Sequence, residues 1–256
     1  MTKQPIQTTL VIPCTDDGGV GKTTDLVLIA DYLKAKDQKL ALFDCDISSA
    51  GKASSFAHWF GGQANHLDLR DEADLDSLLS RSAGCGVGWA IADLPANSSG
   101  DIADWLKTVA TPKAIERLGL RIIAVGALNP TLGSCESVVQ SMEMLGSRAT
   151  YLIALNRTQY DRKIKSAETV FLLWFQWLKS YENKSVLHTI DVPHLQVRTI
   201  ETLQAAGQLP SKTAKDPALD PVMRIRIENW LEEVHSQLDA TGLFTPKTTE
   251  TLVAAK

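Results

Sequence analysis

Cys14-Thr15-Asp16-Asp17-Gly18-Gly19-Val20-Gly21-Lys22-Thr23-Thr24 carries the pattern of a phosphate-binding loop. Backbone N–H groups that wrap a polyphosphate must come within hydrogen-bonding distance of its oxygens, and side chains obstruct that approach. Gly18, Gly19 and Gly21 remove the obstruction. Lys22 then reaches the terminal phosphates, and the Thr23 hydroxyl is suited to Mg²⁺. The apolar residues 9–13 before the loop predict a strand, and residues 24–36 after it predict a helix whose N-terminus faces the anion. Strand, loop and helix in that order imply an α/β fold.

The alternation continues beyond the loop. Short apolar runs predict strands at 8–14, 39–44, 66–69, 89–93, 121–127, 150–155 and 186–191. Helical spacing predicts helices near 22–36, 72–81, 100–109, 132–146, 163–182, 196–207 and 219–239. The expectation is a mostly parallel twisted sheet of about seven strands with helices on both faces. No internal repeat or low-complexity linker divides the chain, so residues 1–244 read as a single domain. Residues 245–256, where Pro and Thr cluster, read as a flexible C-terminal tail.

Composition narrows the class. The 256 residues are 44% hydrophobic and 22% charged, with a net charge of −4, as in an ordinary soluble globular protein. No run approaches the roughly 18 apolar residues of a membrane span, and the N-terminus lacks the apolar core of a signal peptide. Cys14, Cys45, Cys85 and Cys135 fall at unrelated spacings, with no Cys-x-x-Cys pair. They read as small apolar residues in a reducing cytoplasm. The five His residues are scattered and suggest no metal site.

Two acidic strand ends follow the loop. Leu40-Ala-Leu-Phe-Asp-Cys-Asp46 places Asp44 and Asp46 at alternate positions, so both point the same way off a carboxyl edge. That edge is where open α/β sheets take their ligands. Trp89-Ala-Ile-Ala-Asp-Leu-Pro95 brings a single acid, Asp93, to another strand end, with Pro95 stiffening the turn.

The usual phosphate loop has a Gly six residues before its Lys, and Asp16 stands there. The remaining Gly-Gly-Val-Gly-Lys-Thr-Thr, with Asp44-Cys45-Asp46 and the strand ending in Asp93, resembles the ParA/MinD family of deviant Walker A P-loop ATPases. The resemblance spans roughly Thr9 to Pro210. It implies a P-loop NTPase fold (SIMIBI-like), binding of ATP/ADP with Mg²⁺, and a slowly hydrolysing switch that partitions or positions a cargo such as plasmid DNA.

Residue by residue, the resemblance implies a nucleotide cradle of Gly18, Gly19, Val20, Gly21, Lys22, Thr23 and Thr24. It places Thr23, Asp93 and Asp44 at the metal, and gives Lys22, Asp44 and Asp46 the catalytic roles, with Asp46 orienting the attacking water. Asn156, ending Thr150-Tyr-Leu-Ile-Ala-Leu-Asn156, stands where the family contacts the purine, and Pro193 where its backbone flanks the base. Implied partners are a nucleotide-dependent homodimer, an adaptor protein and nonspecific DNA, the last through Arg157, Arg162, Lys163 and Lys165 or Arg224 and Arg226. Residues 245–256 lack a basic, aromatic-faced helix, so no membrane partner is expected.

The chain departs from the family at one charge. Asp17 stands where the family has a signature lysine reaching across to a partner's phosphates. A carboxylate beside the γ-phosphate opposes the charge that builds there. Three outcomes follow: Lys52, Lys107 or Lys113 substitutes for the cation, hydrolysis is slow and ATP binding is the signal, or the sandwich dimer does not form in the family manner. A slow or partner-stimulated ATPase is the expectation. Two other classes stay open on sequence. Thr15-Asp16 before Gly-Val-Gly-Lys-Thr resembles the loop of dethiobiotin synthetase, an ATP-dependent metabolic enzyme, though no matching Lys-Pro segment follows. The third class is a non-catalytic nucleotide-binding regulator.

Overall fold

The computed structural model describes residues 8–46, 52, 55–96, 98, 102, 105, 108–157, 169, 171–181 and 186–245. Seven parallel strands run through it: β1 (Thr8–Pro13), β2 (Leu40–Asp44), β3 (Asn65–His66), β4 (Trp89–Asp93), β5 (Leu120–Leu128), β6 (Ala149–Asn156) and β7 (Leu187–Val192). Their order across the sheet is β3-β2-β4-β1-β5-β6-β7. The chain leaves β1 toward one edge and returns past it to build the other. The loop after β1 therefore opens into the crevice where strand order reverses, which is where ligands of such sheets bind.

Alternate residues of each central strand feed two cores. Val11, Trp89 and Ile91 pack on one face. Leu10, Ile12, Ala90 and Ala92 pack on the other. Burial on both faces explains why these strands read as near-continuous apolar runs. The first face is covered by α1 (Lys22–Ala35), a 3₁₀ turn at Ala57–Phe60, α6 (Val197–Ala206), α7 (Pro210–Thr213) and α8 (Pro221–Thr241). The second is covered by α2 (Glu72–Gly84), α3 (Pro112–Arg117), α4 (Leu132–Leu145) and α5 (Leu172–Ser180).

The expected strand at 66–69 is corrected to the two-residue β3. Asp68 turns away because its N–H donates to Asp74 Oδ2 (2.8 Å) and its carbonyl accepts from the N–H of Asp71 (2.9 Å), which starts α2. The short α3 and α7 have too few turns to show periodicity, and both begin with a proline behind a β or extended residue. Of the expected helix at 163–182, residues 172–180 are seen as α5. Most of the expected helix at 100–109 lies outside the described residues.

In α5 and at its two caps, aromatic side chains turn inward. Phe171 and Trp174 are buried in the second core, and Trp174, Trp177 and Tyr181 stack at 4.9 and 4.7 Å between ring centres. Among the described residues no helix is long and apolar enough to cross a membrane. Residues 246–256 of the expected tail lie outside the described set.

Candidate phosphate-binding site

The loop after β1 is built for close backbone approach. Gly19 has φ +73°, and Gly21, the residue that caps α1, has φ +109°. Gly21 brings no side chain to cap α1, so among the described residues the start of the helix lacks a side-chain cap. A helix N-terminus left open in this way favours an anion. Lys22 Nζ donates to the carbonyl of Asp17 at the start of the loop, folding its side chain back over the cradle. Burial lowers the Lys22 pKa, and Asp93, Asp16, Asp17 and Asp46 oppose that shift. Four carboxylates therefore act on the lysine in the direction that favours its charged form, against burial.

The pair expected at a metal is already in contact. Thr23 Oγ1 donates to Asp93 Oδ2 at 2.7 Å. Asp93 is 2% exposed, and its other oxygen, Oδ1, is buried with no hydrogen-bond partner among the described residues. Burial, with Asp44 and Asp46 nearby, pushes the Asp93 carboxyl up to about 7, against the Thr23 hydrogen bond and Lys22. A divalent cation fits this arrangement. It would offset the buried charge and satisfy the orphaned oxygen, and Mg²⁺ commonly takes only one or two protein carboxylates beside phosphate oxygens.

Asp44 sits opposite Asp93 in the β2–β4 register. Its Oδ2 accepts from the N–H of Ala57 (2.9 Å) and its Oδ1 from the N–H of Asp46 (3.3 Å). Both oxygens hold backbone, so Asp44 shapes the segment that carries Asp46 as well as charging the crevice. Asp46 is half-buried and close enough to Lys22 and Asp93 to influence both.

Asn156, at the end of β6, is 2% exposed. Its Nδ2 donates to Val20 O (2.9 Å) and to Asp25 Oδ2 (3.0 Å), which ties β6 to the loop and to α1. Pro193 O accepts from Trp230 Nε1 (2.9 Å), fixing α8 to the turn after β7. Beside Asn156 a cavity of about 280 Å³ opens between α1 and α6. Thr24, Val27, Leu195, Ile200, Trp59 and Trp230 are among its walls. His58 Nε2 lies 2.9 Å from Gln204 O, joining the segment after β2 to the end of α6.

Other expected residues are placed elsewhere. Arg157 is committed to Asp191 through Nε (2.6 Å) and Nη2, and is largely buried, which withdraws it from a free basic patch. Arg162, Lys163 and Lys165 lie outside the described residues. Lys113 is on α3, whose following turn meets the start of β1 (Thr8 N to Gly119 O, 3.2 Å), at the sheet edge opposite the loop. It is no substitute for the missing cation. Lys52 is exposed, and Lys107 is outside the described residues.

Sequence reasoning passed over Asp25, His58, Trp59 and Trp230. An Asp in a first helical turn ordinarily reads as a solvated dipole partner. Here it is 2% exposed, burial holds its carboxyl well above the usual range, and Oδ1 has no partner among the described residues. The signal in the sequence was its place directly before an apolar run, Leu26 to Ala30.

No family model and no curated protein matches the chain. Solved structures do. A chain of the MinC:MinD cell division protein complex from Aquifex aeolicus is 14% identical with a TM-score of 0.51, covering 94% of this chain and 98% of that one. The MinD cell division protein from Aquifex aeolicus is 15% identical with a TM-score of 0.49, covering 88% and 97%. A plasmid partition protein from Borrelia burgdorferi is 14% identical with a TM-score of 0.43, covering 78% and 97%. At 14% identity the likeness is one of fold, so the chain has the α/β P-loop NTPase fold seen in the MinC:MinD complex.

Proposed function

We propose that this chain is a ParA/MinD-type switch ATPase that binds ATP or ADP with Mg²⁺ and partitions or positions a cargo, plasmid DNA among the candidates. The observation that carries the reading is the Thr23–Asp93 contact beside an uncapped α1 and an inward-folded Lys22. One hydroxyl, one buried carboxylate and one cation converge on the place where a terminal phosphate and its metal would sit. Mg²⁺ supplies charge neutralisation of the β- and γ-phosphates when bound. Thr23 and Asp93 would hold it, with the loop amides and Thr24 on the remaining oxygens. Asp46, whose backbone N–H is held by Asp44, would orient the water.

Asp17 contributes its carbonyl to Lys22 and its carboxylate to the crevice. A second acid at the γ-phosphate works against transfer, so intrinsic turnover is slow and a partner accelerates it. The partner is an adaptor protein or a second copy of this chain. A cytoplasmic setting goes with this reading.

Lys22→Ala is expected to abolish retention of a fluorescent ATP analogue, because no other described cation folds into the loop. Asp46→Ala is expected to retain the analogue and lose turnover. Retention and phosphate release, measured side by side with and without DNA, check both. Equal loss of binding in the two variants would remove the separate roles.

A further inference from the structure

A buried polar contact beside the cavity involves a residue with no role in the reading above. Asp25 lies in the first turn of α1, buried, and accepts at Oδ2 from Asn156 Nδ2 (3.0 Å). The same nitrogen donates to Val20 O (2.9 Å). A carboxamide has two N–H donors on its nitrogen and a separate acceptor oxygen. Both donors are therefore consumed. Turning the amide over would set Asn156 Oδ1 against the carbonyl of Val20, oxygen to oxygen, with no proton between them. Asn156 Oδ1 accepts from no described residue, and Asn156 is part of the cavity wall beside Thr24 and Leu195.

We propose that Asp25 is a positioning residue for base selection: by taking the second amide proton of Asn156 it holds Oδ1 toward the cavity, so the site takes a purine offering an N–H donor, a 6-amino purine, over a 6-oxo purine. The inference rests on the nucleotide-binding reading and adds the residue that sets its base preference. A 6-oxo purine would bring an acceptor to an acceptor and leave both unpaired, and unmade hydrogen bonds in a site cost more than missing apolar contacts do. Without Asp25, one carbonyl alone restrains the amide. Its freed N–H could then swing to the cavity and meet a 6-oxo group, so discrimination falls from both sides.

The test compares the wild-type chain with Asp25→Leu, which removes the acceptor at similar bulk, and Asp25→Asn, which keeps a carbonyl oxygen in place. Affinities for fluorescent ATP and GTP analogues are measured with Mg²⁺. Wild type is expected to prefer ATP. In Asp25→Leu the ATP-to-GTP ratio is expected to fall by about tenfold, the factor that one mispaired hydrogen bond sets. Asp25→Asn is expected to restore most of the ratio. General damage to the fold would weaken both ligands alike and leave the ratio in place.

Wild type that binds neither analogue fails the nucleotide reading itself. Wild type that binds without preference, or an Asp25→Leu ratio equal to wild type, overturns the role of Asp25 alone. Should Asp25→Leu not fold, the side-chain amide protons of Asn156 decide the matter in wild type by ¹⁵N NMR. Both are expected to be protected from solvent exchange, and rapid exchange of either refutes the proposal.

Discussion

Gly21→Ala is expected to lose nucleotide retention by at least about a hundredfold and to unfold at a temperature lower by about 6 °C or more. Two independent costs meet at this residue. Its φ of +109° is a conformation that a side chain resists, worth roughly 1–3 kcal/mol. A Cβ built there would also lie 2.5 Å from Asn156 Nδ2. That nitrogen cannot step aside, because it is held by Val20 O and Asp25 Oδ2. Either the loop opens or the β6 end moves, and both spoil the cradle. A total near 3 kcal/mol corresponds to the stated shift for a domain of this size. Differential scanning fluorimetry and analogue binding check it. A Gly21→Ala protein with wild-type melting and wild-type retention would show that the loop does not depend on the Asn156 contact.

Asp93→Asn is expected to act in opposite directions on stability and on binding. The folded protein without metal holds the Asp93 carboxyl at about 7, above the unfolded value of 3.8, mainly through burial. A raised carboxyl means that the folded state binds its proton more tightly than the unfolded chain does. This contribution to stability is complete below about pH 4 and is lost as pH rises through about 7. The penalty at high pH is on the order of 4 kcal/mol. Metal-free wild type should therefore melt lower at pH 8 than at pH 6, and Mg²⁺ with nucleotide should restore it, most strongly at pH 8. Asp93→Asn removes the buried charge. Its metal-free melting temperature at pH 8 should rise by about 5 °C or more, while Mg²⁺-dependent retention of nucleotide drops sharply. The Asn variant losing both stability and binding at pH 8 would show that Asp93 is a structural acid paired in the folded state.

Much of the sheet was legible because its signals are local. Six of the seven expected strands agree with the structure to within about a residue at either end, from β1 at Thr8–Pro13 to β7 at Leu187–Val192. A strand covered on both faces must be apolar throughout, and that shows without knowledge of its neighbours. The exception, β3, is too short for a pattern, and side-chain acids after His66 end it. The loop was legible for a related reason. Gly18 to Thr24 carries its geometry in its own backbone requirements, and Asp93 follows from a strand that stops at an acid.

The sequence by itself determined the doubly covered sheet, the loop at its centre, and the acids at its carboxyl edge, since each is written within a dozen neighbouring residues. Tertiary structure decided how those parts are used. Asn156 is 131 positions from Asp25 and 136 from Val20, yet one nitrogen joins all three. Arg157 was drawn from a basic cluster into a pair with Asp191. Asp25 is buried in the first turn of α1, where Asn156 at the end of β6 reaches it. Each depends on which distant strand lies alongside, and burial then converts an ordinary polar residue into a directed one by removing every competing water.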